Sequence, residues 1–232
     1  MGKNKLARWA EMKGFDHVIE PSFDDVFGHD FRLKGKWHSD WFGNNNPIVL
    51  ELGCGKGEYT VRLAEMYPQK NFIGIDIKGA RMWKGAKESH LMKQMNATFL
   101  RTRIELLGSF FAAGEVDEIW LTFPDPQPKW KREKKRLPGP FFLNLYRSFL
   151  KNNGIVHLKT DSRELYDYTL SLVKVNGLEI ITSVTDLHGQ MPGDPLLSIR
   201  TYYEEIFLKQ GVPITYLAFR LPNEKEIISP GQ

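Results

Sequence analysis

After residue 45 the chain alternates between short, almost wholly apolar runs and longer amphipathic stretches. The apolar runs predict strands at Ile48–Leu52, Asn71–Ile75 and residues 97–101, 118–123, 154–159, 179–184 and 214–220. The stretches between them predict helices at Glu58–Met66 and residues 80–94, 105–112, 141–150, 162–176 and 198–210. Asn44-Asn45-Asn46-Pro47 marks the turn into the first of these strands, and residues 187–195 read as loop. Strands buried on both faces lack polar alternation, so this pattern predicts an α/β fold with a mainly parallel, doubly wound sheet. The last two strands are expected to pair antiparallel at an edge. Residues 1–45 have no strong period but are rich in charge and aromatics. They are expected to form a partly irregular N-terminal extension on a catalytic domain of residues 46–232, one domain overall.

Composition narrows the class. The 232 residues are 41% hydrophobic and 26% charged, enough for a packed core. A single cysteine, Cys54, excludes an internal disulfide and a clustered-cysteine zinc site. The six histidines show no metal-ligand spacing, so no metal is expected. No run has the length of a membrane helix, and the N-terminus has no apolar signal core. The expectation is a cytoplasmic protein with no membrane contact.

The net charge of +4 is unevenly placed. The segment KWKREKKR, Lys129 to Arg136, holds six basic residues and one acid. Taking its +5 away leaves the rest of the chain at −1. Such a local block is either a solvated surface run or a surface that concentrates a polyanion.

The candidate chemistry begins at the end of the first strand. There Glu51 precedes a glycine-rich turn, Gly53-Cys54-Gly55-Lys56-Gly57, and the next strand ends in Asp76. In open α/β sheets ligands sit outside the carboxyl ends of the strands, and an acid at the second strand's end suits a ribose. The glycine spacing is G-x-G-x-G, which misses the third glycine of a nicotinamide site. Glu51 so near the turn would repel a diphosphate. It suits a cofactor with a cationic head, and S-adenosylmethionine carries an amino group and a sulfonium. The competing reading is a tight turn of the core with Glu51 at the surface. Cys54 has no partner base in its motif and reads as a small residue in the turn.

The segments ELGCGKGEY, GIDIK (74–78), FPDPQPKWKREKKR (123–136), LKTD (158–161) and TYYE (201–204), in this order, resemble the bacterial tRNA (guanine-N7)-methyltransferases. The resemblance implies the Rossmann-like fold of S-adenosylmethionine-dependent methyltransferases, with tRNA as partner and a monomer or homodimer as the assembly. It implies cofactor binding by Glu51, Gly53, Gly55, Asp76, Arg103 and Asp125. Asp125 is also implied as the catalytic residue, at the junction of cofactor and substrate. Lys129, Asp161, Thr201, Tyr202, Tyr203 and Glu204 are implied on the substrate side. Lys131, Arg132, Glu133, Lys134, Lys135 and Arg136 correspond to the stretch assigned to RNA contact. Arg103 stands where the family often has an acid. An arginine cannot accept the adenine amino protons, so contact there would come through backbone or stacking.

Several residues keep a second reading. Asp125, between prolines, also suits a turn. Asp161-Ser162 before Glu164 also resembles a helix cap. Residues 201–204 also suit a helix face with buried tyrosines, and Trp130 either stacks on a base or anchors its loop. Two rival functions remain. A methyltransferase of an exocyclic base amine would resemble a (D/N/S)-P-P-(Y/F/W) pattern, where this chain has PDPQ. A catalytically inactive RNA-binding protein on the same fold would have no need of Glu51, Asp76 and Asp125.

Overall fold

The computed structural model describes residues 2–195 and 199–231. The chain folds into two compact units, Met1–Glu115 and Val116–Gln232.

In the first unit the apolar runs become β2 (Ile48–Leu52), β3 (Asn71–Ile75) and β4 (Ala97–Leu100), buried along their whole length. They pair in parallel in the order β4-β3-β2, with a two-residue β1 (Val18–Ile19) added parallel to β4. Helices α2 (Glu58–Met66) and α3 (Gly79–Leu91) connect them. The expected boundaries of β2, α2 and β3 agree with the structure residue for residue. The reason is local: each apolar run is bounded by residues that cannot continue it, the glycine turn at 53–57 and Pro68 after α2.

Residues 2–45 carry more regular structure than their sequence predicts. Gly2–Met12 form α1, and Trp37–Phe42 form a π-helix turn. Met12, Phe15 and Trp37 are buried in the first unit, with α1 packed on α3. The Trp37 indole donates to the Phe110 carbonyl, and the Glu115 carboxylate takes the backbone N–H groups of Gly35, Trp37 and Ala112. These partners are remote in sequence, which is why no local period announces them.

The second unit contains β5 (Val116–Thr122), β6 (Leu150–Thr160), β7 (Ile180–Val184) and β8 (Thr215–Leu221). β6 runs parallel to β5, and β8 lies antiparallel between β6 and β7. The helices are α4 (Pro140–Tyr146), α5 (Arg163–Val175), α6 (Leu187–Gln190) and α7 (Tyr202–Lys209). The expected antiparallel edge is therefore present.

Four expectations need correction. The helix expected over 141–150 stops at Tyr146, because Leu150 already pairs with Val116 in β6. Asn152-Asn153-Gly154 does not precede the strand but lies inside it, as a bulge that shifts the register on β5. Asn153 takes a left-handed φ of 61°, and a Cβ on Gly154 would lie 2.6 Å from the Leu150 side chain. The segment 187–195, expected as loop, holds the short α6. The helix expected from Ser198 begins at Tyr202, and Ser198 itself lies outside the described residues.

Candidate active site

The turn after β2 is built around two carboxylates. Glu51 is only 3% exposed, so its charge needs partners. Its Oε2 accepts from both the backbone N–H and the hydroxyl of Thr60, in the first turn of α2. The reading of Glu51 as a surface residue is thereby replaced. The N–H groups of Gly53 and Cys54 both reach the carbonyl of Ile75, at 2.8 and 3.0 Å, which ties the turn to the end of β3. Asp76 then accepts from two backbone groups, Gly55 N–H at 2.9 Å and Lys78 N–H at 2.7 Å. Each of its oxygens keeps a further lone pair for a ligand hydroxyl.

The glycines divide the work. Gly57, with φ of 70°, also permits close packing, since a Cβ there would lie 2.5 Å from the Phe99 ring. Gly55 has φ of 56°, yet a Cβ there would meet nothing nearer than a carbonyl at 3.9 Å. The turn is thus closed toward the core and open beside Gly55. The electrostatics match a cation. Burial, reinforced by the Glu51 and Asp76 charges, pushes the Cys54 thiol well above its ordinary value. The thiol is neutral and inert near neutral pH, and a diphosphate would meet the same two negative charges. A group with a cationic head and a diol fits this donor and acceptor set. Arg103 is exposed and directly precedes the 3-10 turn Ile104–Ser109, with Thr102 buried beside it.

In the second unit, Asp125 sits exposed on the loop that leaves β5. Its Oδ1 accepts from the Gln127 N–H at 3.2 Å, so the expected turn is present and the carboxylate still faces solvent. The loop is strained on both sides, with Phe123 at φ of 49° and Gln127 at 45°. Left-handed backbone at a bulky residue is uncommon, and such strain gathers at functional sites. The Phe123 N–H donates to the Lys159 carbonyl at 2.8 Å and secures the start of the loop.

The basic run forms a 3-10 helix, Trp130–Lys135, with two distinct faces. Lys129, Lys131, Arg132, Lys134 and Lys135 are exposed, and so is Trp130. Glu133 turns inward and accepts from the Tyr168 hydroxyl and the Ser229 hydroxyl, each at 2.7 Å. Arg136 is 5% exposed. Its guanidinium donates to the carbonyls of Gln127 and Pro128 and lies 4.2 Å above the Tyr168 ring. The six residues assigned to RNA contact are therefore not one surface: Arg136 and Glu133 are engaged by the protein itself.

Asp161 follows β6 and is half-buried, and burial raises its carboxyl above the usual carboxylate range. The cap of α5 is Ser162, whose Oγ accepts the Leu165 N–H, so Asp161 is not needed there. Thr201 caps α7 by accepting the Glu204 N–H. Tyr202 and Tyr203 are exposed and meet edge to face at 5.5 Å. Glu204 is fully buried. It pairs with the equally buried Lys159 at 2.9 Å and with His188 Nε2 at 2.9 Å. Lys159 also donates to the Ile199 carbonyl, and burial lowers its pKa against the pull of Glu204. A lysine directly after Ile155, Val156 and Leu158, in the buried half of β6, is the signal in the sequence for such a pair. Among the described residues no cluster of His, Cys, Asp and Glu has the arrangement of a metal site.

A family model described as "Putative methyltransferase" matches residues 45–217. The tRNA (guanine-N(7)-)-methyltransferase of Porphyromonas gingivalis is 54% identical over 213 residues, 90% of this chain and 86% of that one. The enzyme of the same name from Bacteroides fragilis is 51% identical over 230 residues, 99% of this chain and 90% of that one. Among solved structures, the 16S rRNA methyltransferase KamB matches with a TM-score of 0.60 at 13% identity, over 79% of this chain and 92% of that one. An antibiotic-related methyltransferase matches with a TM-score of 0.58 at 15% identity, over 87% and 94%. At such identities these two speak for the fold, which is the Rossmann-like α/β fold of methyltransferases. The sequence relatives reach further, across nearly the whole chain and through all five motifs, and the chain belongs to the tRNA (guanine-N7)-methyltransferase family.

Proposed function

We propose that this protein transfers a methyl group from S-adenosylmethionine to N7 of a guanosine in tRNA, in the variable loop. The observation that carries the reading is identity above 50% to enzymes of that name over nearly the full chain. The glycine turn with its two carboxylates agrees with it. Bound S-adenosylmethionine supplies an electrophilic methyl on a sulfonium. In this reading Glu51 and Asp76 hold it, the second through the ribose hydroxyls, with the backbone at Gly53 and Gly55 close by and Arg103 near the adenine.

Guanine N7 offers a lone pair and has no proton to lose, so no strong base is required. The protein has to aim N7 and exclude competing geometries. As the bond forms, positive charge appears on the purine, and the Asp125 carboxylate favours that charge. Lys129, Asp161, Thr201, Tyr202 and Tyr203 serve the substrate side. Glu204 supports that side from beneath through its ion pair with Lys159. We assign residues 46–232 to catalysis and residues 1–45 to a supporting extension. The protein acts in the cytoplasm as a monomer or homodimer. No helix among the described residues is long and apolar enough to cross a membrane.

Incubation with S-adenosylmethionine and unmodified bulk tRNA, followed by nucleoside mass spectrometry, tests the reading. A rise in 7-methylguanosine alone is expected. A different methylated nucleoside would overturn the N7 assignment. Bound but unmethylated tRNA would favour an inactive RNA-binding protein.

The outward lysines carry a second expectation. Changing Lys131, Lys134 and Lys135 to Glu should weaken tRNA binding and reduce the slope of log K against log salt. Each lost phosphate contact removes about 0.7–0.9 from that slope. Filter binding between 50 and 200 mM salt measures it, these being the concentrations over which roughly 10³–10⁵ in affinity is lost by strongly electrostatic complexes. An unchanged slope would mean that the run is only solvated surface.

A further inference from the structure

We infer that Arg136 is a positioning residue for the loop that carries Asp125, and not an RNA contact. The inference rests on the proposed methyl transfer and adds to it the means by which the loop is held. Arg136 is the one cation of the 129–136 run that turns inward, at 5% exposure. Its Nε donates to the Gln127 carbonyl at 3.1 Å and its Nη2 to the Pro128 carbonyl at 3.2 Å. Gln127 is one of the two non-glycine residues of this loop with left-handed backbone. The Asx-type turn at Asp125 ends on the N–H of this same Gln127. Arg136 therefore grips the residue that closes the Asp125 turn, two positions from the carboxylate.

The geometry explains why an arginine is required. The loop contains Pro124, Pro126 and Pro128, which lack N–H groups, so the loop cannot stabilise itself with an internal ladder. Strained backbone persists only when its surroundings hold it in place. A planar guanidinium can reach two carbonyls at once while its face covers an aromatic ring; an ammonium cannot. The ring is Tyr168 on α5, 4.2 Å away, and its hydroxyl is held by Glu133. Glu164 on α5 lies 3.9 Å from the guanidinium. The inward face of the basic run thus fastens the loop to a helix, and the outward face stays open to a polyanion.

Three variants test this. Arg136→Lys keeps the charge and loses the two-carbonyl grip. Its kcat should fall by about 10-fold or more, since small misplacements of reacting groups are costly. Its affinities for tRNA and S-adenosylmethionine should stay within about twofold, because no binding contact is removed. Arg136→Gln removes the charge, yet its salt slope for tRNA binding should equal that of the wild type. Lys135→Gln is the contrast, with a slope lowered by about 0.7–0.9. A slope for Arg136→Gln that falls as it does for Lys135→Gln, with kcat retained, would overturn the inference. So would wild-type kcat in Arg136→Lys, the variant that decides the matter if Arg136→Gln does not fold. In an Asp125→Asn background the Arg136→Lys loss should shrink, because both act through one loop. Losses that multiply in full would place Arg136 outside the Asp125 loop and sink the idea. If the wild type forms no 7-methylguanosine, the reaction assignment fails by itself, and the salt slopes still decide whether Arg136 touches RNA.

Discussion

Asp125→Asn should lower methyl transfer by about 10²–10³-fold while tRNA affinity stays within about threefold of wild type. The substitution is chosen for what it preserves. An Asn side-chain oxygen can still accept the Gln127 N–H that Asp125 accepts now. The Pro-bounded turn therefore survives, and only the negative charge is lost. That charge matters when the purine becomes cationic, not when tRNA binds, so the loss should appear in kcat. The comparison with Asp125→Ala separates the two roles of this residue. If Asn is nearly as active as wild type and Ala is dead, Asp125 serves the turn alone. If Asn and Ala fall together, the carboxylate acts on the reacting base. Single-turnover rates with saturating tRNA, measured by the yield of 7-methylguanosine, give the answer directly.

The second large effect is expected at Asp76. Both of its oxygens accept backbone N–H groups, from Gly55 and Lys78. Asn has one acceptor oxygen and one NH2, so Asp76→Asn must set a donor against a donor on one side. It also removes one of the two charges that make the turn negative. Charge-assisted hydrogen bonds are worth about 1.5–3 kcal/mol each, so cofactor affinity should fall by about 10- to 150-fold. Calorimetric titration with S-adenosylmethionine measures it. The protein without cofactor should melt a few degrees lower, as about 1 kcal/mol shifts a domain of this size by roughly 2–4 °C. Unchanged affinity with a lowered melting point would restrict Asp76 to tying the turn to β3 and α3.

Glu51 and Asp125 illustrate what a sequence can carry. Each lies in a short motif whose spacing is local: an acid two residues before a glycine turn, and an acid between prolines after an apolar run. The structure places both in the predicted settings, one in the buried end of a strand and the other on an exposed turn. Glu204 and Arg136 illustrate the opposite. Each belongs to a contiguous stretch that reads as functional, one on the substrate side and the other on the RNA side. Both are buried, because Lys159 and His188 stand opposite one and the loop carbonyls opposite the other. A stretch on a helical turn presents its residues in different directions, so contiguity in sequence does not make a common surface.

The sequence by itself determined the alternation of buried strands and amphipathic helices, the glycine turn between two acids, the isolation of positive charge in one run, and the family. These follow from periodicity, from punctuation by glycine and proline, and from motifs whose residues are neighbours along the chain. Only the tertiary structure decided that the first residues fold into α1, that β6 passes through Asn152-Asn153-Gly154, and that Glu133, Arg136 and Glu204 face inward. In each case the deciding energy is the burial of an apolar or charged group against a partner distant in sequence. A buried charge is tolerable only where that partner stands, and no local pattern records where it will be.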